Sequence, residues 1–81
     1  MKVRIQFFSH LRDAVGAAQL EQEMPEGTSV RHLLELLYAG YPRLREWDAN
    51  ILIGVGLEFV GRDQVLHAND EVALMPPLQG G

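Results

Sequence analysis

Residues 28–42 read Thr-Ser-Val-Arg-His-Leu-Leu-Glu-Leu-Leu-Tyr-Ala-Gly-Tyr-Pro, the pattern of an amphipathic helix between two boundary signals. Ser29, or else Thr28, offers a hydroxyl to the first free amides, whereas Gly40 ends the helix and Pro42 prevents its return. Apolar side chains recur at the spacing of one helix face: Val30, Leu33, Leu34, Leu37 and Tyr41. This stripe needs a surface to cover, and a single β-sheet is the economical one.

Two strands and a short helical turn are predicted before this helix. Residues 2–8 alternate between polar and apolar side chains, which indicates a half-buried strand with its odd-numbered residues facing inward. A helical turn follows and ends at Gly16. Residues 17–24 alternate again and predict a second strand, antiparallel to the first.

Three more strands are predicted after the helix. Residues 42–50 have no regular pattern, and we expect irregular backbone there. Residues 51–55 are apolar on both faces, which indicates a central buried strand, and a tight turn returns the chain through Phe59 and Val60. An Asn-Asp turn precedes the last strand at residues 71–75, whose even-numbered residues face inward.

This order of elements predicts an α+β fold, the ubiquitin-like β-grasp. We expect a mixed sheet of about five strands with one main helix packed across one face. The first and last strands are expected to pair in parallel at the centre. The domain is predicted to span residues 1–75, followed by an extended, flexible C-terminal Gly-Gly tail at residues 76–81.

The composition is that of an ordinary folded domain and argues against several functions. The chain has 81 residues, with 7 basic and 11 acidic side chains and a formal net charge of −4. This balance argues against nucleic-acid binding, and no apolar run approaches the roughly 20 residues of a membrane-spanning helix. There is no cysteine and no secretion-signal pattern, so we expect a cytoplasmic protein. So small a domain has little core to spare for a catalytic cavity, and we expect a module that depends on partners.

The last six residues, Pro-Pro-Leu-Gln-Gly-Gly, carry the strongest chemical signal. Proline cannot donate to a sheet ladder, so Pro76 and Pro77 end the last strand and favour an extended arm. Gly80 and Gly81 have no Cβ, so they fit a narrow channel and leave the terminal carboxylate unhindered. Such a carboxylate suits activation by another protein. The alternative is an ordinary frayed terminus.

The chain resembles the small, sulfur-carrier subunit of molybdopterin synthase, a family of ubiquitin-like sulfur carriers. The resemblance rests on four segments in order along the chain: residues 3–8, 11–16, 25–30 and 70–81. Its most specific piece is the ending, an Asp-Glu-Val strand followed by Pro-Pro, two spacers and Gly-Gly. The Phe-Phe that closes the first strand is next. Gly56 stands where the family usually shows Asn, and Asn69 where Gly is usual; both residue types tolerate a positive φ.

The resemblance implies that the chain carries sulfur. In that family the Gly81 carboxylate is adenylated by an enzyme related to those that activate ubiquitin, and is then converted to a thiocarboxylate. The thiocarboxylate sulfur attacks a pterin precursor held by the large synthase subunit. Gly80 would keep the arm thin, and Pro76 and Pro77 would aim it. ATP is used by the activating enzyme, so we expect this chain to bind no cofactor and no metal.

A docking surface for the large subunit is expected beside the tail. Phe8 and Met75 fall on the outward side of the first and last strands, which we place next to each other. The resemblance adds Phe59 and four tail residues to these contacts: Pro76, Pro77, Leu78 and Gln79. The alternatives are that Phe59 and Met75 belong to the core and that Phe8 covers a second small core.

Three other functions remain open on the sequence. They are sulfur transfer to thiamine or tRNA by the same fold, a plain interaction domain with an incidental Gly-Gly, and a protein tag conjugated to lysines. His10, His32 and His67 have no cysteine partners, so we expect solvated side chains and not a metal site. Trp47 is expected to cover one end of the core.

Overall fold

The structure, a computed structural model, describes residues 1–77 as a mixed sheet with helical segments. The elements are β1 (Lys2–Phe7), α1 (His10–Val15), β2 (Gln19–Glu23), α2 (Val30–Gly40), a 3-10 helix (Pro42–Asn50), β3 (Leu52–Val55), β4 (Glu58–Phe59) and β5 (Glu71–Met75). The strands lie in the order β2-β1-β5-β3-β4. β1 and β5 pair in parallel, and the other neighbours pair antiparallel. This is the predicted β-grasp.

The core lies between α2 and the inner face of the sheet. Nine side chains there are at most 1% exposed: Val3, Ile5, Phe7, Val30, Leu33, Leu34, Leu37, Val72 and Leu74. The Ser29 hydroxyl accepts a hydrogen bond from the His32 amide at 3.4 Å, which confirms Ser29 as the N-cap. Within residues 1–77, no helix is long and apolar enough to cross a membrane.

The apolar stripe of α2 ends at Tyr38 and not at Tyr41. Tyr38 is 2% exposed, whereas Tyr41 is half-buried at the C-cap of the helix. Tyr38 follows Leu34 by one helical turn, so its ring lies on the same face. Tyr41 lies beyond the last helical residue, where the regular spacing of the face no longer applies.

The segment between α2 and β3 is more regular than predicted. Residues 42–50 form a 3-10 helix that buries Leu44. β3 is an interior strand, as expected, and lies between β5 and the two-residue strand β4, but it is not buried on both faces as predicted. The parallel β1–β5 pair occupies the centre, and Leu52 of β3 is exposed on the outer face.

The turn residues adopt the backbone conformations expected of them. Gly16 ends α1 at φ 84°, Gly56 turns the β3–β4 hairpin at φ 64°, and Asn69 precedes β5 at φ 69°. Asp70 closes the turn before β5, because its carboxylate accepts from the His67 amide at 2.8 Å. The Asn69 amide donates to the Lys2 carbonyl at 2.8 Å and the Gly56 amide donates to the Glu71 carbonyl at 3.1 Å, so these two turns help to set the register of β5 against β1 and β3.

Candidate docking site

The outer face of the sheet carries a groove of about 530 Å³ at the end where β5 finishes. We call it the docking groove. It is lined by Phe8, Ser9, His10, Trp47, Leu52, Phe59, Met75, Pro76 and Pro77. Several segments that are distant in sequence meet here: the β1–α1 turn, the 3-10 helix, the β3–β4 hairpin and the end of β5. Most of the lining is apolar, so the groove suits an apolar partner surface.

The structure brings five of the predicted contact residues into this groove: Phe8, Phe59, Met75, Pro76 and Pro77. Phe59 is 73% exposed and Phe8 is 40% exposed, whereas Met75 is half-buried. None of these three belongs to the buried core cluster. The outward orientation expected for Phe8 and Met75 is confirmed. Leu52 was not anticipated, and it pairs with Met75 in the β3–β5 register.

A sharp turn at Ser9 forms the first edge of the docking groove. The Leu11 amide donates to the Phe8 carbonyl at 3.1 Å, and Ser9 has φ 56° and ψ −130°. These angles match the first central position of a type II′ turn, which normally takes glycine. A serine there costs about 1–3 kcal/mol, and such strain is found most often at functional sites. The turn sends Phe8 outward and places His10 beside the 3-10 helix.

The second edge of the groove is an aromatic stack that sequence reasoning did not find. The His10 and Trp47 rings lie 5.7 Å apart between centroids, with 7° between their planes. Trp47 is half-buried against the core, as predicted, and its ring also lines the groove. The pairing depends on the approach of α1 to the 3-10 helix, so neighbouring residues gave no signal of it.

A polar cluster of Tyr38, Asp48 and Arg62 anchors the 3-10 helix next to Trp47. The Tyr38 hydroxyl donates to Asp48 Oδ1 at 2.6 Å, and Arg62 Nη1 donates to the same oxygen at 2.8 Å. Arg62 Nη2 also donates to the Asp48 main-chain carbonyl. The cluster therefore joins α2, the 3-10 helix and the loop before β5.

The cluster shifts the titration of its own members. Burial raises the pKa of Tyr38 to about 12, and the neighbouring Asp48 carboxylate acts in the same direction. The hydrogen bond from Tyr38, followed by that from Arg62, holds the pKa of Asp48 below its usual range. At neutral pH the hydroxyl thus keeps its proton and the carboxylate stays charged, which is the state that this geometry requires.

The opposite end of the outer face is charged. Arg4 lies between two carboxylates, 3.2 Å from that of Glu71 and 3.8 Å from that of Glu21. All three side chains are exposed, so each pair contributes at most about 1 kcal/mol. Glu21 and Glu23 are exposed to solvent.

The remaining predicted site residues lie outside the described part of the chain. These are the tail residues Leu78, Gln79, Gly80 and Gly81. Over residues 1–77, no group of histidine, aspartate and glutamate side chains is arranged to hold a metal ion. His32 and His67 are exposed at the start of α2 and in the loop before β5, and neither lines the docking groove.

The fold and the groove define a ubiquitin-like β-grasp protein, and comparisons with known proteins agree. The ThiS family model matches residues 5–81. The molybdopterin synthase sulfur carrier subunit of Mycobacterium tuberculosis is 33% identical over 82 residues, covering 100% of this chain and 99% of that protein. The chain belongs to the ThiS family, together with these sulfur carrier subunits.

Solved structures show the same fold. A Pyrococcus furiosus protein assigned as subunit 1 of the molybdopterin converting factor has a TM-score of 0.88 at 30% identity, covering 96% of this chain and 99% of that one. A chain from the complex of subunits 1 and 2 of the Helicobacter pylori molybdopterin-converting factor has a TM-score of 0.74 at 20% identity, with both chains covered fully.

Proposed function

We propose that this chain is the sulfur-carrier subunit of a molybdopterin synthase. Membership of the ThiS family and full-length similarity to the M. tuberculosis subunit support this function. The structural observation that carries it is the position of the docking groove, which runs up to Pro76 and Pro77, where the tail begins. A surface for a partner and an arm that enters the partner are therefore adjacent.

The reactive group in this proposal is the carboxylate of Gly81. A separate activating enzyme joins it to AMP from ATP and releases pyrophosphate. A sulfur nucleophile then attacks the carbonyl carbon and displaces AMP, so one carboxylate oxygen is replaced by sulfur. The resulting thiocarboxylate gives its sulfur to the pterin precursor. We place this chemistry in the cytoplasm. This chain supplies the acyl group at Gly81, and its folded domain supplies the surface that a partner binds.

The partner that receives the tail is proposed to be the large synthase subunit. Four residues follow Pro77, and a fully extended chain spans about 3.4 Å per residue, so Gly81 reaches at most about 14 Å beyond it. A partner that holds Gly81 must therefore come within about 14 Å of Pro77, which lines the docking groove. The H. pylori chain of the same fold comes from a complex of subunits 1 and 2 of the molybdopterin-converting factor.

The proposal is tested with three forms of the chain: intact, lacking Gly81, and extended by one alanine. Each is incubated with ATP, the activating enzyme and a sulfur source, and its whole-protein mass is measured before sulfur transfer to the precursor is assayed with the large subunit. We expect the intact chain alone to gain the oxygen-to-sulfur increment and to transfer sulfur at the full rate. Normal transfer by either altered chain would contradict the proposal.

The same experiment separates the other functions. A chain that gains sulfur and does not bind the large subunit would indicate a carrier for thiamine or tRNA. A chain that gains no sulfur would indicate a plain interaction domain. Adducts on lysines of other proteins in cell extracts would indicate a protein tag.

A further inference from the structure

We propose that the His10–Trp47 stack is a contact element of the docking groove, and that the cluster of Tyr38, Asp48 and Arg62 positions it. The inference rests on the proposed function, because the occupant of the groove is taken to be the large synthase subunit. Trp47 and His10 would contact that partner directly. Tyr38, Asp48 and Arg62 would act indirectly, by positioning Trp47.

The 3-10 helix that carries Trp47 has little stability of its own. A 3-10 helix has poorer hydrogen bonds than an α-helix and is uncommon beyond a turn or so, yet this one runs from Pro42 to Asn50. Leu44 is its one fully buried side chain. The segment therefore depends on contacts with other elements to keep a single conformation.

The contacts that stabilise the 3-10 helix attach at Asp48, next to Trp47. Asp48 directly follows Trp47, and Arg62 binds both the carboxylate and the main-chain carbonyl of Asp48. Tyr38 holds the same carboxylate from within the core. Restraining the main chain at residue 48 restrains the direction in which the adjacent Trp47 ring points. An ion pair to the carboxylate alone would leave the main chain of this segment freer to move.

The stacked rings of His10 and Trp47 form one wall of the docking groove, and both residues are held in place by neighbouring elements. The strained Ser9 turn holds His10 from one side, and the polar cluster holds Trp47 from the other. Two stacked rings present a large apolar area with few rotatable bonds, so little conformational entropy is lost on binding. The wall is continuous with Phe8, Met75 and Pro77 around one groove, so a partner seated beside the tail also meets the wall.

The test is a double-mutant cycle on Asp48→Ala and Trp47→Ala, with affinity for the purified large subunit as the main readout. Trp47 is the single tryptophan of the chain, so its fluorescence emission and anisotropy report its environment without the partner. Glu35→Ala is the matched control, because Glu35 pairs with Arg45 at 3.3 Å and so also links α2 to the 3-10 helix. Neither Glu35 nor Arg45 lines the groove.

We expect Asp48→Ala to stay folded by circular dichroism, to lower the anisotropy of Trp47 and to weaken binding about tenfold. Trp47→Ala is expected to weaken binding at least as much, and adding Asp48→Ala to it should change affinity little further. Glu35→Ala should leave both fluorescence and affinity unchanged. Arg62→Gln and Trp47→Leu replace the alanine variants if either fails to fold.

Several outcomes would overturn the inference. Unchanged Trp47 anisotropy in Asp48→Ala would remove the positioning role, and unchanged affinity in Trp47→Ala would remove the contact. Fully additive losses in the double variant would show that Asp48 acts independently of Trp47. If the unaltered chain does not bind the large subunit, the proposed function and the docking role of the wall both fail, whereas the fluorescence still decides whether the cluster positions Trp47.

Discussion

At the end of the sheet where β5 finishes, both faces carry apolar side chains, but only those of the inner face are fully buried. On the inner face, Phe7 and Leu74 are sealed beneath α2. On the outer face, Phe8, Met75 and Phe59 are as apolar, yet no element of the described chain covers them. The inner residues hold the fold together, and the outer ones remain available to a partner. Stability and binding can thus be changed separately in this protein.

The largest expected effect separates two neighbours on β5. Leu74→Ala removes a fully buried side chain and should lower the free energy of unfolding by about 3 kcal/mol. Met75→Ala should lower it by less than about 1 kcal/mol, since Met75 is half-buried and outside the core cluster. Urea unfolding of the two variants measures both values. Equal losses would show that the outer face is a second core.

A smaller effect concerns binding alone. Phe8→Asp places a charge in the docking groove and should weaken affinity for the large subunit tenfold or more, with the fold intact. Gln6→Asp is the matched control, because it adds the same charge on the same side of β1 outside the groove. Titration calorimetry gives both affinities. An unfolded Phe8→Asp chain beside a folded Gln6→Asp chain would place Phe8 in the core.

The smallest expected effect concerns the hydrogen bond from the Tyr38 hydroxyl to Asp48. Tyr38→Phe removes the hydroxyl that Asp48 accepts from and should cost about 1 kcal/mol at neutral pH. The raised pKa of Tyr38 means that the folded state holds its proton more tightly than the unfolded state. Its contribution is complete below pH 10.0 and is lost as pH rises through about 12.

Unfolding free energies measured across that alkaline range check this prediction. The unaltered chain should lose stability more steeply than Tyr38→Phe. Parallel pH profiles for the unaltered chain and Tyr38→Phe would show that the Tyr38 hydroxyl is not linked to folding.

Local sequence patterns predicted most of the fold and part of the groove. The alternation in β1 and β5 assigned Phe8 and Met75 to the outer face, because a strand has a strict period of two. Asn69 and Gly56 were placed at turns because each tolerates a positive φ. Ser9 gave no such signal, since serine is not a residue that sequence reasoning associates with its strained conformation.

The patterns failed where distant segments meet. His10 is exposed, as predicted, but its stacking on Trp47 was not predicted, because nothing near it in sequence reveals that the 3-10 helix brings Trp47 against it. The predicted helix stripe omits Tyr38, although its spacing of one turn from Leu34 is a local signal. Asp48 and Arg62 gave no signal, because they meet Tyr38 only in the folded chain. A cluster joining three elements exists only once those elements have packed.

The sequence by itself determined the order of strands and helices, the inward and outward sides of β1 and β5, and the Pro-Pro and Gly-Gly ending, because these follow from periodicity and from the backbone properties of proline and glycine. Tertiary structure alone decided that Trp47 and His10 stack, that Tyr38, Asp48 and Arg62 form one cluster, and that the groove lies beside Pro77. The physical reason is range: periodicity acts between near neighbours, whereas a stack or a shared carboxylate needs atoms within a few ångströms that only packing can bring together.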